Sequence, residues 1–311
     1  MTCSQNSINI LTALQFKGIG PGKIVSNWHT QMTDEEVLFF VNSFTTGEQI
    51  SMDKFLSTKG VVIRLVESNE PFIDGVVSWG EEDFPFCRGS VNNGDYPVVL
   101  FYKGDIQLLK PTSKNVAVIG VLMPEDSIAQ REQNMVSALL KNNYVIVSGL
   151  ALGCDSIAHK QALVENGKTI AILPSTLKSI LPSQNQQLAE GIYKNKGLLI
   201  TEYYTEQESS MELRGRYQER DRLQAMFSDA IILTASYDVN KEGNDSGSRL
   251  AMNYAKKYQI PRFVLYNEAT DYNHPQFELN RRILREGNST ILTHTNIKTL
   301  CAKEENQLKI F

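Results

Sequence analysis

The stretch SGLALGCDSIAH, residues 148–159, decides how this chain is read. It follows an apolar run, Tyr144 to Val147, and turns at once to small residues, two glycines, Asp155 and His159. A short apolar run followed by a helical pattern reads as a strand buried on both faces of a parallel sheet. In such sheets ligands collect outside the carboxyl ends of the strands. Gly149 and Gly153 would let backbone N–H groups approach an anion, here with Ser148 beside them, and the following helix would add the positive end of its dipole. Asp155 is placed to cap that helix. The same residues also describe a tight strand-to-helix turn with no ligand. The stretch alone leaves both readings open.

Working outward, the pattern repeats. Strand-like runs at 115–120, 144–149, 169–174, 197–203, 229–235 and 260–267 alternate with helical patterns at 127–143, 155–167, 183–195, 218–228 and 246–258. That alternation predicts an α/β domain, a doubly wound and mostly parallel sheet, over 115–298. Residues 1–70 read as a small helical domain of the SAM or helix-hairpin kind. It holds the turn GIGPGK, and Thr33 is the expected N-cap before the acids of TDEE. GIGPGK, with Lys17 and Lys23, reads either as a backbone contact for phosphates or as a helix-to-helix turn. Residues 71–114 carry turn residues and one strand candidate and read as a connector. Residues 299–311 read as a tail.

The chain has 311 residues, 35 acidic against 31 basic, for a net charge of -4. That excludes a protein coated in positive charge but not a local basic groove. The four cysteines form no C-x-x-C pair, so no zinc or redox motif is signalled. Scattered cysteines, no leader pattern and no apolar run of membrane-spanning length lead to the expectation of a cytoplasmic protein with no membrane contact. Neither G-x-G-x-x-G after the first strand nor G-x-x-x-x-G-K-[ST] occurs, and no cofactor is expected. Ser148, Asp155 and His159 have the chemistry of a triad but crowd into twelve residues without G-x-S-x-G. No catalytic motif is found.

Other predicted strand ends add polar turns. Gly120 closes the first strand of the sheet, and Ser246, Gly247 and Ser248, followed by Arg249, precede a helix. Between these, RGRYQERDR places Arg214, Arg216, Arg220 and Arg222 within nine residues. A charge run with interspersed acids is commonly a solvated face, yet Arg is the cation suited to bidentate phosphate contacts. Together these turns and arginines form a candidate polyanion site on one rim.

The order of these motifs resembles the DNA-processing protein A (DprA/Smf) family. That family's pattern runs S-G-x-A-x-G-I-D-x-x-A-H, P-x-x-N, S-E-[YF], F-P-x-R-N-R and S-G-S. The matching positions here are Ser148 to His159, Pro182 with Asn185, Thr201-Glu202-Tyr203, Arg220-Asp221-Arg222 and Ser246-Gly247-Ser248. The resemblance implies an extended Rossmann-like fold that binds single-stranded DNA without catalytic turnover. It also implies a homodimer that helps load a RecA-type recombinase, as in natural transformation. The chain departs from the pattern in several places. Where the family has Gly-Ser-Arg after the first strand, this chain has Gly120-Val121-Leu122, with Glu125 close by. Asp221 replaces the Asn between the two arginines, Tyr217-Gln218 stands for Phe-Pro, and the C-terminal winged helix of many members is not recognised. Arg249 is a cation that could compensate.

Two other readings stay open at this level. One is a nucleotide-binding sensor or nucleotide-cleaving enzyme of the related LOG-like class, with Glu202 and Asp155 as candidate acids, although the P-G-G-x-G-T-x-x-E stretch is absent. The other is an adaptor whose surface, rather than its groove, engages a recombinase.

Overall fold

The computed structural model describes residues 3–239 and 247–300. Four helices come first: α1 (Gln5–Ala13), α2 (Pro21–Asn27), α3 (Asp34–Phe44) and α4 (Met52–Glu67). Ser4, Thr33 and Ser51 cap α1, α3 and α4 through their side-chain oxygens, and Thr33 and Glu36 close a reciprocal capping box. Pro21 starts α2, where its fixed φ suits the first helical position. The GIGPGK turn and the helix it opens pack against neighbouring segments. Lys23 lies over the Phe44 ring at 4.5 Å, and Asn93 donates to Ser26 from the following segment (3.0 Å).

Next come β1 (Gly75–Ser78) and β2 (Val99–Gly104). The alternating part follows: β3 (Asn115–Ile119), α5 (Asp126–Lys141), β4 (Val145–Ser148), α6 (Cys154–Val164), β5 (Thr169–Ile172), α7 (Gln186–Lys194), β6 (Leu198–Thr201), α8 (Ser210–Met226), β7 (Ala230–Leu233), α9 (Ser248–Lys257) and β8 (Arg262–Val264). Two short helices, α10 (Glu268–Asp271) and α11 (Glu278–Arg285), lead to β9 (Thr290–Ile291). The sheet order is β1-β2-β6-β5-β4-β3-β7-β8-β9. From β6 to β9 every pairing is parallel, whereas β1 and β2 pair antiparallel with each other and β2 pairs antiparallel with β6. This is the mostly parallel, Rossmann-like sheet that the alternation predicts.

Both faces of the sheet are covered, so its central strands alternate between two cores rather than between core and water. Ala117, Val147 and Ile231 pack with Leu223 and Met226 of α8 and Met252 of α9. Val118, Ile146 and Ile232 face Val136 of α5 and Ala158 of α6. On that second face, towards β2, the cover passes to α7 and then to the N-terminal helices, where Ile10, Phe55 and Val62 meet Phe101, Ala171 and Leu199.

Two expectations change. Residues 71–114 are more than a connector, because β1 and β2 extend the sheet and carry its antiparallel edge. The helix expected at 218–228 begins at Ser210, so RGRYQERDR lies inside it instead of preceding it. Its first turns have no apolar period to betray them. They are secured by the Ser209 cap on the Glu212 amide and by the Glu212–Arg216 ion pair (2.7 Å). Among the described residues no helix is long and apolar enough to cross a membrane.

Candidate functional site

The strand order reverses at β3. The chain builds outward through β4, β5 and β6, then returns to β7 on the other side of β3. Clefts at such a switch point are where open α/β sheets bind ligands. Three turns meet there. Ser248, opening α9, donates its hydroxyl to the Gly120 carbonyl (3.1 Å). The Cys154 amide, opening α6, donates to the Val121 carbonyl (3.0 Å), and the Val121 amide donates to Ala235 past β7 (2.9 Å). Gly153, at φ +71°, lies so close to the Val121–Leu122 backbone that a side chain there would collide with it.

Gly149 serves a different neighbour. A Cβ at this position would fall on the guanidinium of Arg220. Arg220 belongs to α8 on one face of the sheet, and Asp155 belongs to α6 on the other. The glycine therefore opens the slot through which Arg220 crosses the strand ends. Its Nη1 comes to 3.7 Å from Asp155 Oδ2 and its Nε to 3.6 Å from Asp221 Oδ1. The residue is 4% exposed, and among the described residues neither nitrogen has a hydrogen-bond partner. The Tyr217 ring flanks the guanidinium at 5.7 Å.

Asp155 also organises its loop. Its Oδ2 accepts the amides of Gly149 (3.1 Å) and Ala151 (3.3 Å). Asn185 clamps the same loop, donating to the carbonyls of Leu150 (2.7 Å) and Ala151 (3.2 Å) and to Ser156 Oγ (2.8 Å). The glycine turn is thus held in shape by its own side chains, and the Gly149 amide expected for an anion is engaged by Asp155 together with that of Ala151.

Burial dominates the electrostatics. It raises the Asp155 carboxyl, against the pull of Arg220 and the loop amides. It pushes Asp221 up to about 7, with Arg220 opposing, Asp155 reinforcing and the Gln224 amide (3.0 Å to Oδ1) opposing. Glu132, fully enclosed beside Cys154 and Asp155, is raised well above the usual carboxylate range by burial, and Cys154 is raised with it. His159 is pushed down to about 3 by burial and by Arg220. Burial drives Glu132 and His159 towards their neutral forms, and among the described residues Arg220 is the cation that faces Asp155 and Asp221 here.

The expected site residues divide into two groups. Gly120, Gly149, Gly153, Asp155, Arg220, Gly247 and Ser248 come together, with Gly247 packed against the Asp221 carboxylate. Ser148 lies beneath them, its buried hydroxyl donating to the Val118 carbonyl (2.7 Å) and lying near enough to Asp155 to favour its charged form. Arg216, Arg220 and Arg222 do not share one rim. Arg216 stacks on Tyr203 (4.4 Å) and bonds Glu212 and the Thr205 carbonyl. Arg222 forms a bidentate pair with Glu202 (2.7 Å for both bonds) and donates to the Asp95 carbonyl (2.9 Å). Spaced along a helix, these arginines point in different directions, and Arg220 is the one of the three that meets Asp155 at the strand ends. Arg214 is exposed and Arg249 half-buried, and Ser246 lies outside the described residues. Glu202 and Asp155, the candidate acids for nucleotide cleavage, are committed to Arg222 and to the loop. Where the resemblance has an arginine, Leu122 (56% exposed) and Met123 (83% exposed) project instead. Sequence reading did not single out Glu132 or Gln224, since each is one polar residue within an ordinary helical pattern.

Comparison with known proteins agrees with this architecture. A structure of DNA processing protein A from Streptococcus pneumoniae superposes with a TM-score of 0.66 at 22% identity, covering 93% of this chain and 91% of that one. A Helicobacter pylori DNA processing protein A structure, described by its single-stranded DNA binding mode, gives 0.54 at 33% identity, with 66% and 87% covered. A curated relative, Protein Smf of Synechocystis, is 34% identical over 173 residues, which is 55% of this chain and 41% of that protein. The S. pneumoniae DNA processing protein DprA is 36% identical over 139 residues, 45% of this chain and 47% of that protein. The chain spans about half the length of the curated relatives it matches. The family model for DNA recombination-mediator protein A matches residues 75–302, from the first strand of the sheet past the last, and the chain belongs to that family.

Proposed function

We propose that this chain is a single-stranded DNA-binding recombination mediator, acting by binding rather than by turnover. It would shield single strands and help a RecA-type recombinase to load, as a cytoplasmic homodimer. One observation carries the reading. Arg220 stands buried at the switch point with two N–H donors unbonded, beside glycine turns and the first turns of α6 and α9. An enclosed guanidinium with unused donors is poised for a phosphate oxygen, and charge-assisted hydrogen bonds of this kind are among the strongest a site can offer. The H. pylori relative, described as binding single-stranded DNA, supports the choice of polyanion.

The test is fluorescence anisotropy with single-stranded, duplex and mononucleotide ligands at two salt concentrations. Single strands should bind best, and Arg220→Gln should weaken them by about 1–3 kcal/mol, a loss of roughly five- to 150-fold. Equal affinity of the variant and the parent chain would remove the phosphate grip. Base release from nucleotides would turn the reading towards an enzyme.

A further inference from the structure

We infer that Asp221 is a built-in competitor for Arg220, so that a phosphate is gripped there only as Asp221 takes up a proton. The inference rests on the reading of this cleft as a phosphate site and names what controls it. Arg220 lies between two carboxylates at nearly equal distance, 3.7 Å from Asp155 and 3.6 Å from Asp221. An incoming phosphate adds a third anion to a space that holds one cation. Two fixed anions and a phosphate around one buried guanidinium repel each other in a poorly screened setting, and one of the three must lose its charge.

The surroundings decide which. Asp155 is held as an acceptor by the amides of Gly149 and Ala151, so protonating it would weaken the loop that shapes the cleft. Among the described residues Asp221 receives one side-chain amide, from Gln224, and otherwise faces Arg220 of its own helix, Asp155 of α6 and the backbone of Gly247 before α9. The next charged or titratable groups are Glu132 of α5 and His159 of α6, both buried and both pushed by burial towards their neutral forms, and Arg249 in the first turn of α9, itself engaged in contacts. Burial already holds the Asp221 carboxyl near 7, so the proton is available at ordinary pH. The exchange balances: a solvent proton joins the Asp221 carboxylate, and Arg220 passes from that carboxylate to a phosphate oxygen. The resemblance bears on the same atom, because the family pattern has Asn at this position and so needs no proton there. Asp221 is thus a positioning residue that sets the availability of Arg220.

The experiment is the affinity of the full chain for an oligo-dT strand between pH 6 and 8.5 at constant ionic strength, a range in which the oligonucleotide phosphates do not titrate. With one proton taken up per grip and a carboxyl titrating near 7, affinity should fall about thirtyfold from pH 6 to 8.5. Asp221→Asn should flatten the profile and hold the tight value throughout. Calorimetry of the unaltered chain in two buffers of different ionisation heat should show uptake of about one proton at pH 8, which needs no variant to fold. A flat profile for the parent chain, an unchanged slope in Asp221→Asn, or no proton uptake each overturns the inference. Arg220→Gln separates the two levels of failure. If it weakens binding while Asp221→Asn keeps the slope, the phosphate site stands and the competitor falls. If it binds as the parent chain does at every pH, the site reading falls first and the competitor with it.

Discussion

Gly149 carries its meaning through what stands where its side chain would be. Arg220 occupies that space, so Gly149→Ala must push the guanidinium out of its slot or shift β4. Overfilling a packed site of this kind is expected to destabilise by about 1–3 kcal/mol, read as a lower urea midpoint. Oligonucleotide affinity should fall with it, because the displaced guanidinium no longer faces the cleft. His159 makes a second prediction at this scale. Thr169 spends its hydroxyl proton on the Ile146 carbonyl (2.8 Å), so the contact of His159 Nδ1 with that hydroxyl (2.7 Å) has the imidazole as donor. The ring is neutral and enclosed, and its pKa falls from 6.5 to about 3. Between those values the unfolded chain binds a proton that the folded chain refuses. The contribution is therefore fully present above pH 6.5 and is lost as pH falls towards 3, on the order of a few kcal/mol. Asp221, raised to about 7 from 3.8, acts with the opposite sign, since its stability is greatest in acid and is lost as pH rises through that window. Comparison of His159→Gln with the parent chain across pH 7 to 4 isolates the histidine, and the variant should show the flatter acid limb.

At the scale of elements, α8 is the strap of the molecule. Its middle delivers Arg220 to the strand ends, while one residue past Asp221 it turns Arg222 to Glu202 beyond β6 and to the backbone at Asp95. That bidentate pair is largely buried, at 12% and 18% side-chain exposure. Removing one partner leaves the other charged and enclosed. Glu202→Gln or Arg222→Met should therefore lower stability by about 3–5 kcal/mol, seen in thermal melts. Binding by the folded fraction should change by less than about twofold, unlike the loss on removing a charge-assisted contact at Arg220. A large affinity loss in Arg222→Met with an unchanged melting temperature would return Arg222 to the cleft. The same helix shows what the sequence could reveal. The apolar strands of the parallel sheet and the glycine turns after them were legible, because β-strand burial and strand-end turns leave marks within a few residues. The start of α8 was not, since it is polar all round and is held by a cap and ion pairs. Which arginine meets which carboxylate was not legible either. Arg220 and Asp155 stand on opposite faces of the sheet, and no local spacing reports a side chain that crosses between them. The glycines were recognised as close approaches, but what approaches Gly149 is a guanidinium of the chain itself.

For the whole molecule, the question on the proposed reading is how an acidic chain would hold a polyanion. With a net charge of -4, the surface as a whole does not attract a DNA strand, so attraction must be local. On the proposed reading that attraction lies in the strand-end cleft, where among the described residues Arg220 is the cation and is partly neutralised by Asp155 and Asp221, and the Gly-Val-Leu turn after β3 contributes Leu122 and Met123 in place of charge. Such a site should release few counterions. For single strands log K falls with log salt at about 0.7 per phosphate neutralised. One to three phosphates at the cleft then predict a slope of about -0.7 to -2. Titrations of an oligonucleotide from 50 to about 300 mM salt, at a pH where Asp221 is protonated, measure it directly. A slope much steeper than about -3 would mean that the strand lies along a wider basic surface than the strand-end cleft provides. In that case Arg220→Gln should shift the line downward without changing its steepness. With the cleft as the grip, the same variant should flatten the line by about 0.7, the share of one phosphate.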